Sequence, residues 1–288
     1  MKRLWREIAG KADLPTIYLG GQAVGGGCIN DAWKVESSDG LYFVKRNKPE
    51  FAQAFEVEAA ALEEIAATRT VRVPNPVTHG TACGEAFLVL EYIDMQPAQP
   101  WSHSKAGEQL AALHSKTSQN FGWKYDNTIG STPQPNPWTD SWVSFYRDHR
   151  LENQFKLARE RSGKTFQGRD KLLANLDTFF KTYNPLPSLL HGDLWGGNIG
   201  FDGRGNPVLF DPATYYGDRE ADIAFTEMFG GFRQEFYASY NEAWPLDPVY
   251  PLRKDLYNLY HYLNHHNLFG GGYAETAQSL IDQLLHWL

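Results

Sequence analysis

Two cysteines in 288 residues, Cys28 and Cys83, cannot build a disulfide framework. A reducing cytoplasm is the compartment such a chain expects. No stretch approaches the roughly 18 apolar residues of a membrane-spanning helix. The opening MKRLWREIAGKADL has neither the apolar run nor the small-residue cleavage site of a secretion signal. No block of Lys or Arg interrupts a chain of net charge -7, so a nucleic-acid backbone is not an expected partner. Internal repeats and low-complexity tracts are absent as well. Aromatic residues, by contrast, are plentiful at 14%, which calls for large cores or stacking surfaces. The length suits two lobes better than one compact core.

Along the first third, short strand patterns alternate with turns. TIYLGGQAV and NDAWKVES flank the glycines Gly25, Gly26 and Gly27, and LYFVKR follows the turn Ser37-Ser38-Asp39-Gly40. A helix rich in Ala, Leu and Glu is predicted from about Glu50 to Thr68. Pro74 and Pro76 read as a break, AFLVLEYI as a buried strand, and MQPAQPWS as a linker. The remainder is mostly helical. It includes a predicted helix from about Arg169 to Tyr183, a strand SLLHGD, a hairpin IGF/VLF, and three closing helical patterns.

The strongest chemical signal is HGDLWGGN, His191 to Asn198, followed by Asp211-Pro212. Phosphoryl transfer needs a carboxylate to take the hydroxyl proton and oxygen donors to hold the Mg²⁺ on the phosphates. Asp193 and Asn198 stand five positions apart, as the base and metal-binding Asn do in protein kinases. Asp211 ends the next hairpin, where a second metal ligand belongs. Lys45 lies in an apolar strand, where an ammonium requires a partner. Phe51, Phe55, Leu62 and Ile65 make one helical stripe, and Glu58 falls in the middle of it. A Lys45–Glu58 pair is therefore expected, the arrangement that positions the α- and β-phosphates of ATP. The glycine cluster lacks GxGxxG, and only its place upstream of Lys45 suggests a phosphate-covering loop. Glu91, Tyr92 and Ile93, after the LVLEYID strand, are expected to offer backbone groups to adenine.

HGDLWGGN with the following DPA resembles the aminoglycoside and choline kinase-like phosphotransferases, which share the protein kinase fold. GGGCIN, FGWKYDNTIGSTPQPN with its following Trp, YYGDREADIAFTEMFGGF and LNHHNLFGG resemble the fructosamine kinases, or ketosamine-3-kinases. The likeness runs from about Gly25 to Gly272. It implies an α+β, protein kinase-like two-lobed fold. The N-lobe, residues 1–94, would hold antiparallel strands and one helix; the larger C-lobe, residues 95–288, would be mainly helical. It also implies ATP and Mg²⁺ in the cleft and phosphorylation of the sugar O3 of fructosamines, ribulosamines or erythrulosamines. The product would break down and release the amine, a deglycation. Under this likeness Asp193 is the base, Asn198 and Asp211 ligate Mg²⁺, and Asp222 and His191 brace the catalytic loop. A kinase for another small alcohol (an aminoglycoside, choline or a pentose) and a non-catalytic nucleotide binder are the alternatives.

Several residues carry two readings each. Trp195 stacks on the sugar or packs on the lobe. Asn264 and His265 line the substrate end of the cleft, and the loop from Asp126 to Asn136 closes over it. His261, His265 and His266 lack an H-E-x-x-H arrangement and read as an aromatic, packed helix rather than a metal site. His114 reads as a satisfied helix histidine. The resemblance associates Cys28 with redox-linked homodimers, against a passive small residue in a chain that is otherwise monomeric or dimeric. If Asp193 is the base, D193A retains ATP binding and loses turnover by about 10³-fold or more. Near-normal turnover in a coupled ADP assay would refute that role.

Overall fold

The computed structural model describes residues 2–14, 21–24 and 30–288. Its contacts fall into two units. One comprises Met1–Ser102 with Gly200–Pro212, and the other His103–Ile199 with Ala213–Leu288. Where a boundary between residues 94 and 95 was expected, the MQPAQPWS segment stays with the first unit.

In the first unit, β1 (Gln22–Val24), β2 (Asp31–Ser37), β3 (Gly40–Asn47), β4 (Pro76–Ala82) and β5 (Glu85–Glu91) form an antiparallel sheet in the order β1-β2-β3-β5-β4. The β2–β3 turn closes on the Ser37–Gly40 pair. Side chains alternate across β3, and that alternation positions its charges. Val44 joins Trp5 and Ile8 of α1 (Lys2–Lys11), with Val35, Phe87 and Val89, in a buried cluster. Arg46, two residues on, lies on the same face over the rings of Trp5 and Trp33. Lys45, between them, faces the other way and meets α2 (Ala52–Ala67). Fully burying Phe87 or Val89 contributes roughly 1.5–3 kcal/mol each.

Two sequence expectations change here. The α-helix starts at Ala52, after a 3₁₀ turn at Pro49–Phe51, because Pro49 supplies no N–H and presets the first turn. The proline break is in fact the start of strand β4. Pro76 is its first residue, and β4 lies at the sheet edge, where a missing N–H costs no ladder bond. The later hairpin of β9 (Ile199–Phe201) and β10 (Pro207–Leu209) is tied to β4's approach segment through an Arg72–Val208 bridge and an Arg72–Asp202 ion pair of 2.8 Å.

The second unit is helical: α3 (Ser102–His114), α4 (Trp142–Tyr146), α5 (Glu152–Ser162), α6 (Arg169–Ala174), α7 (Glu220–Met228), α8 (Gln234–Ala243), α9 (Tyr250–Phe269) and α10 (Tyr273–Leu285). Short strands β6 (Asn127–Ile129) with β7 (Thr132–Gln134), and β8 (Ser188–Leu189) with β11 (Tyr216–Gly217), pair between them. The expected helix to Tyr183 stops at Ala174 and resumes as a 3₁₀ helix, Leu176–Phe180. Four helices, rather than three, follow the β9–β10 hairpin. Aromatics fill this core. Trp142 packs against Phe121, Phe145, Tyr146 and Tyr257, and its indole N–H donates to the Tyr257 hydroxyl at 3.1 Å. Among the described residues, no helix is long and apolar enough to cross a membrane.

The 126–136 segment, expected as a long loop, has secondary structure of its own. It is the β6–β7 hairpin, with Gln134 and Asn136 buried. Gln134 accepts from the Tyr260 hydroxyl at 2.6 Å and donates to Ala213 O at 3.2 Å. Asn127 donates to Thr214 O at 2.8 Å.

The N-terminus of α7 is set by a fully buried ion pair. Arg253 Nε donates to Glu220 Oε2 at 2.7 Å and its Nη2 to Glu220 Oε1 at 3.1 Å, with both side chains at 0% exposure. Burial pushes the Glu220 carboxyl up to about 7, and Arg253 pulls it the other way. Removing one partner strands the other charge. R253M is expected to lose about 3–5 kcal/mol in urea unfolding, and the E220L/R253M pair to recover most of it. A loss below about 1 kcal/mol in R253M would contradict this account.

Candidate active site

In the first unit, the Lys45 ammonium donates to Glu58 Oε1 and to Asp211 Oδ1, each at 2.6 Å. Lys45 and Glu58 are nearly sealed, at 6% and 15% side-chain exposure, whereas Asp211 is half-exposed at 48%. Burial would depress the Lys45 pKa, but Asp211 and Glu58 more than reverse it, so the ammonium stays charged at any working pH. Burial raises the Glu58 carboxyl, and Lys45 opposes it. Asp211 adopts a left-handed backbone, φ 57°, which costs a non-glycine residue on the order of 1 kcal/mol. Its second oxygen, Oδ2, carries no hydrogen bond among the described residues.

In the second unit, the HGD turn hangs from one carboxylate. Asp222 Oδ2 accepts from His191 N–H at 2.7 Å and Oδ1 from Gly192 N–H at 2.8 Å. His114 Nε2 stands 3.1 Å from Oδ2. An ionised carboxylate only accepts, so His114 Nε2 carries a proton toward Asp222, while Nδ1 stands 2.8 Å from the Tyr240 hydroxyl. Arg219 in turn donates to Tyr240 at 3.0 Å. Gly192 has φ 82°, and a Cβ there would stand 2.0 Å from Ala213 O, so only glycine fits. His191 Nδ1 accepts from Asp193 N–H at 3.3 Å. Asn198 Nδ2 then donates to Asp193 O at 2.8 Å and to Asp193 Oδ2 at 3.1 Å, which ties the two residues together across the five-residue spacing. With Nδ2 so engaged, Asn198 Oδ1 is left without a hydrogen bond among the described residues.

The other expected positions divide. Trp195 is 41% exposed, with its ring over Gly197 and its edge toward Phe229. His265 packs against Phe229, Phe269 and Tyr273. Asn264 is buried, its Oδ1 accepting from Gln154 at 3.3 Å. His261 lies flat on Phe225 with ring centroids 3.5 Å apart, and burial pushes its pKa well down. Among the described residues, no group of three His, Cys, Asp or Glu is placed to hold a metal ion. Glu91 does not offer a free N–H; it donates to Asn75 O at 2.9 Å, and its carboxylate pairs with Arg72 at 2.6 Å. Tyr92 and Ile93 follow the last ladder residue, and Lys34 sits over the Tyr92 ring. Gly25, Gly26, Gly27 and Cys28 lie outside the described residues.

Sequence reasoning missed the Arg219–Tyr240–His114 chain behind Asp222. A histidine on the apolar face of α3 was its only local signal.

Over 98% of its length, the chain superposes on the crystal structure of a thermostable mutant of the aminoglycoside phosphotransferase APH(4)-Ia in its apo form. The TM-score is 0.60 at 15% identity, and 98% of that chain is covered. The fold is therefore the α+β, protein kinase-like fold of the small-molecule phosphotransferases. A nearer likeness is to the crystal structure of a candidate fructosamine-3-kinase from Haemophilus somnus 129PT, with TM-score 0.90 and 31% identity over 99% of this chain and 97% of that one. The chain belongs to the fructosamine kinase family, whose model matches residues 4–287. It is 48% identical to a probable ketoamine kinase of Synechocystis, covering 92% of this chain and 90% of that protein. It is 44% identical to the chloroplastic protein-ribulosamine 3-kinase of Arabidopsis thaliana, covering 99% and 88%.

Asp222 also makes a pH prediction. Burial would raise its carboxyl, but the bonds from His114 and Gly192 outweigh it and hold the group below its ordinary value. The folded state thus binds this proton less readily than the unfolded chain. Its stabilisation is complete above the unfolded pKa and is lost as pH falls through the folded one. D222N is expected to lose about 1.5–3 kcal/mol at neutral pH, with the gap to the parent narrowing in acid. Urea unfolding across pH tests this; a gap independent of pH would contradict it.

Proposed function

We propose that the protein transfers the γ-phosphate of ATP to the O3 hydroxyl of ketosamines, with Asp193 as general base. The observation that carries this reading is the Asn198 clamp on Asp193, in a loop hung from the buried Asp222. The named activities of the family relatives, ketoamine kinase and protein-ribulosamine 3-kinase, supply the acceptor class.

Each expected metal ligand, taken in its own unit, keeps an oxygen of the kind that Mg²⁺ takes. Asp211 has an unengaged carboxylate oxygen and Asn198 an unengaged amide oxygen. Mg²⁺ is ordinarily held by one or two such groups plus waters and substrate phosphates, not by an all-protein cage. When bound, the metal would neutralise charge on the phosphate oxygens. Lys45, permanently charged and oriented by Glu58, meets the α- and β-phosphates. Asp193 takes the O3 proton, and Asn198 fixes both its carboxylate and its carbonyl, so the base is in place before substrate arrives. The cytoplasm is the compartment that we assign.

A substrate panel tests the reading: ribulose-lysine and deoxymorpholinofructose against kanamycin and choline, followed by ADP release with Mg²⁺ and with EDTA. Metal-dependent turnover of the ketosamines alone is expected. Faster turnover of kanamycin or choline, or of none of the four, would overturn it.

A further inference from the structure

The catalytic turn continues into an exposed run of aromatic rings that the phosphoryl-transfer chemistry does not use. Trp195 lies two residues after Asp193, and its ring edge meets Phe229 at 6.3 Å between centroids. Phe229 meets His265 at 5.1 Å, and His265 meets Phe269 at 5.7 Å. Trp195, Phe229 and Phe269 are 41%, 44% and 58% exposed. Single exposed aromatics are ordinary, but a connected set of this kind marks a binding surface.

The backbone is built to bring the first two rings together. A Cβ on Gly196 would stand 2.8 Å from Gly230 O, and one on Gly231, at φ 97°, would stand 2.8 Å from Gly196 Cα. The WGG turn and the FGG turn therefore pack backbone on backbone, and any side chain at these glycines would force Trp195 and Phe229 apart. None of the four rings carries a formal charge, since burial holds His265 below its ordinary pKa.

We propose that Trp195, Phe229, His265 and Phe269 form a subsite for the alkylammonium arm of the ketosamine, the amine from which the sugar hangs. This rests on the ketosamine kinase reading. In such a substrate the secondary amine is cationic and lies a few bonds from O3, so its arm must leave the base along neighbouring surface. Ring faces attract an alkylammonium and cover its methylenes without the desolvation cost that a carboxylate would carry. Continuity with the base selects this occupant, because the run starts at the catalytic turn itself. The subsite makes the enzyme selective for the amine as well as for the sugar.

The test compares two ribulosamines with the same sugar, one built on methylamine and one on Nα-acetyl-lysine, in the full chain and in F229A and F269A. Both substituted positions are well exposed, so both variants are expected to keep the parent's unfolding midpoint. The secondary ammonium is common to both substrates, so the comparison reads the methylenes of the lysine arm: each variant should lose about tenfold more kcat/KM on the lysine-derived substrate, chiefly through KM. Equal losses on both substrates, or no loss on either, would overturn the subsite. Reduced self-association of the variants by sedimentation, with an unchanged substrate ratio, would assign the rings to a contact between copies and overturn it equally. If the parent chain turned over neither ribulosamine, the kinase reading would fall first and the subsite with it.

Discussion

The carboxylate of Asp222 is the constraint on which the HGD turn depends. It is buried, and its two oxygens take the N–H groups of His191 and Gly192 and face the His114 ring. A buried anion is tolerated only when its lone pairs are filled, and these three donors fill them. The consequence is directional. With both N–H groups fixed, the peptide planes on either side of Gly192 are fixed, and Asp193 leaves the turn in one orientation. Asn198 then locks the far end of the same loop onto Asp193. Asp193 is held by backbone geometry anchored to a charge, a stiffer arrangement than side-chain packing alone.

Lys45 shows the complementary logic in the first unit. Its strand gives it a face opposite Val44 and Arg46, so the ammonium cannot reach the α1 cluster and must find its anions elsewhere. It finds two. Glu58 is nearly sealed and serves as a permanent partner, whereas Asp211 is half-exposed and held in a left-handed conformation. The asymmetry separates two similar carboxylates. One is sealed against the cation, and the other keeps an oxygen without a hydrogen bond among the described residues. A lysine held by Glu58 alone would remain neutralised when Asp211 turned to a cation, so binding a metal need not leave a bare buried charge.

How much of this was legible in the sequence depends on the reach of each interaction. Glu58 could be read because a helix writes its buried face at a fixed period, and a carboxylate within that period stands out. The Asp193–Asn198 spacing is equally local. The misreadings share a cause in long-range context. Pro76 looked like a break because edge position in a sheet is not written locally. The 126–136 segment looked like an irregular loop because length and composition do not reveal that its strands pair and that Gln134 and Asn127 satisfy the backbone of Ala213 and Thr214. His114 read as a satisfied histidine, and it is one, but its partner Asp222 lies 108 residues away. Resemblance, not periodicity, pointed to Asp222 as a brace.

The β6–β7 hairpin has a further structural meaning. Ala213 is held from two sides: its N–H donates to His191 O at 2.9 Å, and its carbonyl accepts from Gln134 while crowding the missing Cβ of Gly192. The Tyr260 hydroxyl closes the circuit at Gln134. The polar side chains of this hairpin are thus spent on backbone carbonyls beside the HGD turn, not on an open surface. Open surface is left instead to the aromatic run beyond Trp195. That division is physically sensible. A base must be placed to within fractions of an ångström and needs buried, fully satisfied polar contacts. An arm of variable chemistry is better met by ring faces, which hold it without demanding one geometry.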